Sequence, residues 1–236
     1  MDIGCSEWKT LIISGAKLLG VDINDRHAGL FALHALELLK WNQKINLTAI
    51  TDAEEIAIKH FADSVAPANM IPDHARLLDI GSGGGFPGIV LKVINPSLKV
   101  TLIDASRKKV SFQKQVIRTL NLKDIDAHHI RAEDFAKTTN RFDVVICRAF
   151  SALDTFISMA IPLLAEHGAL IAMKGKISES EIAAVENLAI PLSAALSIEK
   201  YTLPFAEADR AILKLMINSS IHKSDRKTLW RLMKVS

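Results

Sequence analysis

The chain has 236 residues, with 49% hydrophobic and 23% charged residues, the balance of a packed globular protein rather than a disordered or fibrous one. It contains no run of 18 apolar residues, so no membrane span is expected, and its first five residues, Met1-Asp2-Ile3-Gly4-Cys5, lack the basic and apolar regions of a secretory signal. Net charge is only +3, but the five Lys/Arg and one acid between Asn218 and Ser236 give that end +4 and leave the body near −1, a distribution suited to a polyanionic partner or to a solvated tail.

From the N-terminus, the first 70 residues read as helical. Asp25 is placed to cap a helix through Trp41, whose apolar positions Ala28, Phe31, Ala35, Leu38 and Leu39 follow helical spacing. Thr51-Asp52-Ala53-Glu54-Glu55 offers a capping box before a second helix carrying Ile56, Ala57, Phe61 and Val65. Pro67 and Pro72 close the segment.

After Pro72, short apolar runs alternate with amphipathic stretches. Arg76–Ile80, Lys99–Asp104, Ile125–Ile130, Phe142–Arg148 and Gly168–Lys174 predict strands, with helices over Pro87–Ile94, Lys108–Leu120 and Leu153–Leu164. That alternation predicts a parallel sheet covered on both faces. A helix over Glu179–Leu188 follows. Two further strands, Ala195–Leu203 and Ala211–Ile217, are too close for a crossover helix and so should pair antiparallel. The expected architecture is α/β: a seven-stranded, Rossmann-like sheet with its last strand antiparallel, the outline of the class I methyltransferase fold. The chain divides into a helical extension (1–71), the α/β domain (72–218) and a basic tail (219–236).

The first predicted strand delivers Asp79 into a loop holding Gly81, Gly83, Gly84 and Gly85, with Pro87 at the expected first position of a helix. Gly83 to Gly88 satisfies G-x-G-x-x-G, and Asp104 follows at the end of the second strand, so a nicotinamide dinucleotide is one reading. Three features favour S-adenosylmethionine instead. Pro87 removes a helix-start N–H that a pyrophosphate would use, the antiparallel ending matches a methyltransferase, and no second domain remains for hydride transfer. Glu133, just after the third strand, is placed to accept from an adenine amino group; Glu133 or Asp134 could also cap the next helix.

The end of the fourth strand reads Cys147-Arg148-Ala149-Phe150, without the Asn/Asp-Pro-Pro-aromatic pattern of amine methylation. Cys147 has no Pro-Cys or Thr-Cys companion and reads as a strand residue rather than a nucleophile. An acceptor that is already nucleophilic, such as guanine N7, needs positioning and no general base. Cys5 and Cys147 read as free thiols of a reducing cytoplasm, and neither they nor His128-His129 have metal-ligand spacing, so no metal is expected.

Trp41-Asn42-Gln43-Lys44-Ile45-Asn46-Leu47-Thr48-Ala49-Ile50, His60-Phe61-Ala62-Asp63-Ser64, Asp79 to Gly88, Arg131-Ala132-Glu133, Cys147 to Phe150 and Met173-Lys174-Gly175-Lys176 together resemble the bacterial 16S rRNA guanine-N7 methyltransferases called RsmG or GidB. The resemblance covers roughly residues 30–217. It implies S-adenosylmethionine as donor and, as acceptor, the guanine at position 527 in the 530 loop of 16S rRNA, in the 30S subunit or an assembly intermediate. It implies that Gly81, Gly83 and Phe86 line the donor, that Asp104, Ala105 and Ser106 meet its ribose, and that Ala132 and Glu133 meet its adenine. Arg148 would close the pocket at the reacting end, and Lys174, ending the fifth strand beside it, is a candidate contact to phosphate or base. Methylation of another RNA or a small molecule is the nearest alternative, with an oxidoreductase behind it. Two departures stand out: Cys147 replaces the usual Ser or Ala, and the tail Ser224 to Trp230 lacks the family's Pro-Arg-Lys segment. Lys40, Lys44 and Lys59, with Arg107, Lys108, Lys109, Lys114 and Arg118, are candidate phosphate contacts. A cytoplasmic monomer is the expected form.

Overall fold

A strand buried on both faces must alternate its side chains between two cores, and the central apolar runs do so. Leu77, Val144, Ile146 and Ile171 enter one hydrophobic cluster, while Leu78, Val145, Cys147 and Leu170 enter the other. The computed structural model describes residues 1–137, 141–149, 152–189 and 194–217. Phe150 and the basic tail 219–236 lie outside the described residues.

In chain order the elements are α1 (Ser6–Leu18), α2 (Asp25–Asn42), α3 (Ala53–Glu55), a π-helix (Ile56–Ala62), α4 (Asp63–Val65) and a 3₁₀ turn (Ala68–Met70). Then come β1 (Arg76–Ile80), α5 (Gly88–Ile94), β2 (Lys99–Asp104), α6 (Arg107–Thr119), β3 (Ile125–His129), α7 (Ala132–Phe135) and β4 (Phe142–Arg148). The chain continues through α8 (Leu153–Ala160), a 3₁₀ turn (Ile161–Leu163), β5 (Leu164–Lys174), α9 (Glu179–Ala189), β6 (Ala194–Leu203) and β7 (Ala208–Ile217).

The seven strands lie in the order β3-β2-β1-β4-β5-β7-β6. Strands β1 to β5 pair in parallel, β7 is antiparallel to β5, and β6 is antiparallel to β7. Only β7 therefore runs against the rest, which is the seven-stranded class I methyltransferase arrangement. The chain steps outward from β1 to β3 and then returns to β4, so a switch in strand order falls between β1 and β4. In open α/β sheets the ligand crevice lies outside the carboxyl ends of the strands at such a switch.

The N-terminal helices bury Trp8, Phe31 and Phe61 in the same cluster as Leu77 and Ile89. Trp8 packs edge-on to Phe61 at 5.8 Å and its Nε1–H donates to the Ala53 carbonyl at 2.8 Å. Phe31 stacks on Phe61 at 5.0 Å.

Boundaries depart from expectation where capping chemistry or proline intervenes. Asn24, not Asp25, caps α2: its side chain accepts from His27 N–H, while the His27 ring accepts from Asn24 N–H. Asp52 caps α3 through Glu55 N–H, but the expected regular helix widens into a π-helix at Ile56. Pro87 occupies the N-cap of α5, one position before its expected place. Pro162 has no N–H to donate, and α8 gives way to a 3₁₀ turn at Ile161.

Replacing Trp8 by Ala should cost about 3–5 kcal/mol, as removal of a large aromatic from a core does. Urea unfolding of this variant against Leu18→Ala, whose side chain is exposed, checks it; the latter should shift stability by no more than about 0.5 kcal/mol.

Candidate active site

The crevice begins with the backbone of the glycine loop. The N–H groups of Gly81 and Ser82 both donate to the Ile103 carbonyl, at 2.9 and 3.3 Å, and bind the loop to the end of β2. Gly81 and Gly83 adopt φ of +72° and +54°, a left-handed conformation that glycine enters at least cost. Gly83 N–H donates to Asp104 Oδ2 at 3.0 Å, and Ser106 N–H donates to Asp104 Oδ1 at 2.8 Å. Asp104 is thereby aimed by two backbone donors, with a further lone pair left on each oxygen.

Beneath the loop, Gly88 N–H donates to Asp79 Oδ2 at 2.9 Å, whereas Asp79 Oδ1 is buried with no hydrogen-bond partner. A Cβ on Gly88 would stand 2.5 Å from Leu102 Cδ2 and 2.8 Å from Asp79 Oδ2, so any larger residue would have to displace both side chains. Burial raises the Asp79 pKa from 3.8 to about 8; the Gly88 N–H and the Arg148 guanidinium pull it down, and Asp104 pushes it up.

The loop is braced from outside by side chains that the sequence did not single out. Gln113 Nε2–H donates to the Gly83 carbonyl at 2.9 Å. His34 Nε2 lies 2.8 Å from the Gly84 carbonyl, which can only accept, so this nitrogen carries the proton. The Phe86 ring stacks on both His34 and His60, at 4.8 Å in each case. Burial lowers the pKa of His34 from 6.5 to about 4, while burial and the Arg148 charge lower that of His60 to about 3. Both rings are neutral at pH 7.

Arg148, at the end of β4, faces the π-helix. Its Nη1 donates to the Lys59 carbonyl at 3.0 Å and to Asp63 Oδ2 at 3.5 Å, and its Nη2 lies 3.3 Å from His60 Nδ1. The guanidinium carbon is 5.0 Å from the Phe86 ring centroid. His60 Nδ1 accepts, so Nε2 donates to Thr48 Oγ1 at 2.9 Å. Asn42 holds that turn, accepting from Leu47 and Thr48 N–H and donating to the Thr48 carbonyl. On its other oxygen, Asp63 accepts from the Tyr201 hydroxyl at 3.2 Å and from Arg210 Nε at 3.1 Å.

The fold thus gathers Gly81, Gly83, Asp104, Ala105 and Ser106 at one crevice. Ala132 and Glu133 start α7 just beyond β3, where the Ile130 N–H meets the Asp104 carbonyl at 3.2 Å. Arg131 is the N-cap of that helix, with no side-chain bond, and Asp134 pairs with Lys137, so neither expected acid is the cap. The Phe86 ring is 5% exposed and turned into the histidine stack, leaving its backbone to face the loop. Lys174 is not beside Arg148. Arg148 is level with Met173, and side chains alternate along β5, so Lys174 lies on the opposite face, where it pairs with Glu181 at 2.8 Å. Cys147 also belongs to that opposite face, almost fully buried, and burial drives its thiol pKa well up. Among the described residues no group of three His, Cys, Asp or Glu could hold a metal, and no helix is long and apolar enough to cross a membrane.

Sheet order, crevice and glycine loop define the class I methyltransferases. Magnesium protoporphyrin IX methyltransferase from Synechocystis PCC 6803, solved with bound SAM, superposes with a TM-score of 0.56 at 14% identity, covering 78% of this chain and 97% of that one. That likeness is one of fold. Residues 29–212 match the family described as rRNA small subunit methyltransferase G. Ribosomal RNA small subunit methyltransferase G of Geotalea uraniireducens is 44% identical over 207 residues, spanning 87% of this chain and 94% of that protein. Its counterpart from Acetivibrio thermocellus is 37% identical over 209 residues, spanning 87% and 86%. The chain belongs to the rRNA small subunit methyltransferase G family.

Two measurements follow from these contacts. The histidines bind protons less readily when folded and add stability as pH rises toward 6.5; Asp79 binds its proton more readily when folded, so stability falls as pH rises from about 4 to about 8. Between about pH 7 and 8 the loss through Asp79 outweighs what is left of the histidine gain, and the urea midpoint should drop there in the native chain but not in Asp79→Asn. Arg148→Ala removes one of three partners from buried Asp63, which keeps Arg210 and Tyr201, and should cost about 1.5–3 kcal/mol in the same assay.

Proposed function

We propose that the chain transfers the methyl group of S-adenosylmethionine to N7 of a guanine in 16S rRNA, position 527 of the 530 loop, acting as a cytoplasmic monomer on the 30S subunit or an assembly intermediate. The observation that carries this reading is the pairing of family membership with a reacting end that offers no general base. His34 and His60 are neutral and enclosed in the stack with Phe86, the thiol of Cys147 lies on the other face, and Asp79 is buried beneath the loop.

The crevice fits the donor. A Cβ at Gly81 would meet nothing within 4 Å, so space is open above the loop. Gly81, Gly83 and the Phe86 backbone would line that space, Asp104 would accept from the ribose hydroxyls with Ala105 and Ser106 beside it, and Ala132 and Glu133 would meet the adenine. S-adenosylmethionine supplies a methyl group on a sulfonium centre, already electrophilic. Guanine N7 has an available lone pair and no proton to lose, so the protein's contribution is in-line positioning in a site shielded from water. Arg148 contributes by holding the π-helix against Phe86 and the glycine loop. Lys174 keeps a candidate role as a phosphate contact only by exchanging Glu181 for that partner.

Incubation with radiolabelled donor and either 30S subunits or naked 16S rRNA, followed by borohydride reduction and aniline cleavage, should give scission at position 527. Label at another nucleotide would overturn the acceptor. Asp104→Ala should weaken S-adenosylhomocysteine binding at least tenfold in calorimetry while the fold persists.

A further inference from the structure

We propose that a cleft at the carboxyl end of β5, between Lys176 and the β6–β7 hairpin, binds the sugar-phosphate backbone of the RNA next to the target base; this rests on the rRNA reading above. The cleft has a volume of about 290 Å³, and its lining includes Lys176, Lys200, Tyr201, Asp209 and Arg210.

Strand order locates it on the acceptor side. Glu133, Asp104 and the glycine loop follow β3, β2 and β1, so the donor half of the crevice lies on that side of the switch. Strands β4, β5 and β7 lie on the other. Two strand spacings separate β4 from β7, which places the cleft on the order of 10 Å from the end of β4. A base held at β4 would carry its neighbouring phosphates across this end of the sheet.

The charges there are available. Arg148 is spent on Lys59, His60 and Asp63, Lys174 on Glu181, and Lys59 on Glu55. Lys176 and Lys200 are exposed and have no acidic partner among the described residues. Arg210 is pre-positioned: Nε is fixed on Asp63 and Nη1 on the Asp209 carbonyl at 3.0 Å, which leaves Nη2 without a partner among the described residues. A guanidinium anchored along one edge presents the other to an anion at little entropic cost. Asp209 is also in the lining, so the cleft is not uniformly cationic.

Lys176 and Lys200 are the clean probes, because Arg210 also holds Asp63 in place. Binding of a fluorescein-labelled single-stranded oligoribonucleotide carrying the 530-loop sequence is measured by anisotropy at several salt concentrations. Lys176→Glu with Lys200→Glu should weaken binding more than tenfold. Lys176→Gln with Lys200→Gln should lower the slope of log K against log salt by about 1.5, roughly 0.7–0.9 for each phosphate that is no longer neutralised. S-adenosylhomocysteine binding should be unchanged in both, which reports an intact fold. Equal affinity and slope in native chain and variants, or no RNA binding by the native chain, overturns the cleft. Variants that bind RNA as the native chain does, in an enzyme that methylates position 527, leave the acceptor reading standing and remove the cleft. Weakened RNA binding in an enzyme that does not methylate 16S rRNA does the reverse.

Discussion

A single carboxylate, Asp63, ties the N-terminal helices to the reacting end of the sheet. It is almost fully buried, and it meets guanidinium groups from β4 and β7 and a phenol from β6. Three strands that enter the sheet late in sequence are thus referenced to one residue that enters early. A buried charge of this kind is expensive to leave alone, so each partner is held where it is by the penalty for leaving. Through Arg148 the same network reaches His60 and Phe86, and through Phe86 the glycine loop. The position of the loop therefore depends on helices that a reading of the α/β domain alone would treat as peripheral.

Around this anchor the site separates polar groups by environment. Asp79 and Asp104 are both carboxylates near the loop, yet Asp79 is enclosed with one oxygen unpartnered, while each Asp104 oxygen accepts a backbone N–H. The histidines are likewise deprived of water and of charge. At the crevice the glycine loop offers oriented backbone beside one aimed carboxylate, Asp104.

Much of the fold was legible in the sequence because its signals are local. Strand patterns at Arg76–Ile80, Lys99–Asp104 and Phe142–Arg148 coincide with the observed strands, since alternation and turn residues act within a few positions. The short link before Ala211 correctly foretold an antiparallel pair. Asp104 stands at the loop as expected because glycine loop and strand end are read from adjacent segments. The misplacements have physical reasons too. Strand ends alone place Lys174 beside Arg148, but register decides faces, and Arg148 pairs with Met173. Asp63, Gln113, Tyr201 and Arg210 carried no local signal, because their partners are from 30 to 147 positions away. His60 and Asp63 did fall within a segment of resemblance, but nothing in it announced a widened helix.

That widened helix has a consequence of its own. A π-helical turn is an α-helix carrying one residue more than its hydrogen bonds want, and it gives up ladder regularity to do so. Here the carbonyl of Lys59, within that stretch, serves Arg148. The Asp63 N–H, which an α-helix would aim at that carbonyl, meets the His60 and Ile58 carbonyls instead. The Lys59 carbonyl is thereby left to the guanidinium, so the irregular turn supplies an acceptor that a regular helix would have consumed.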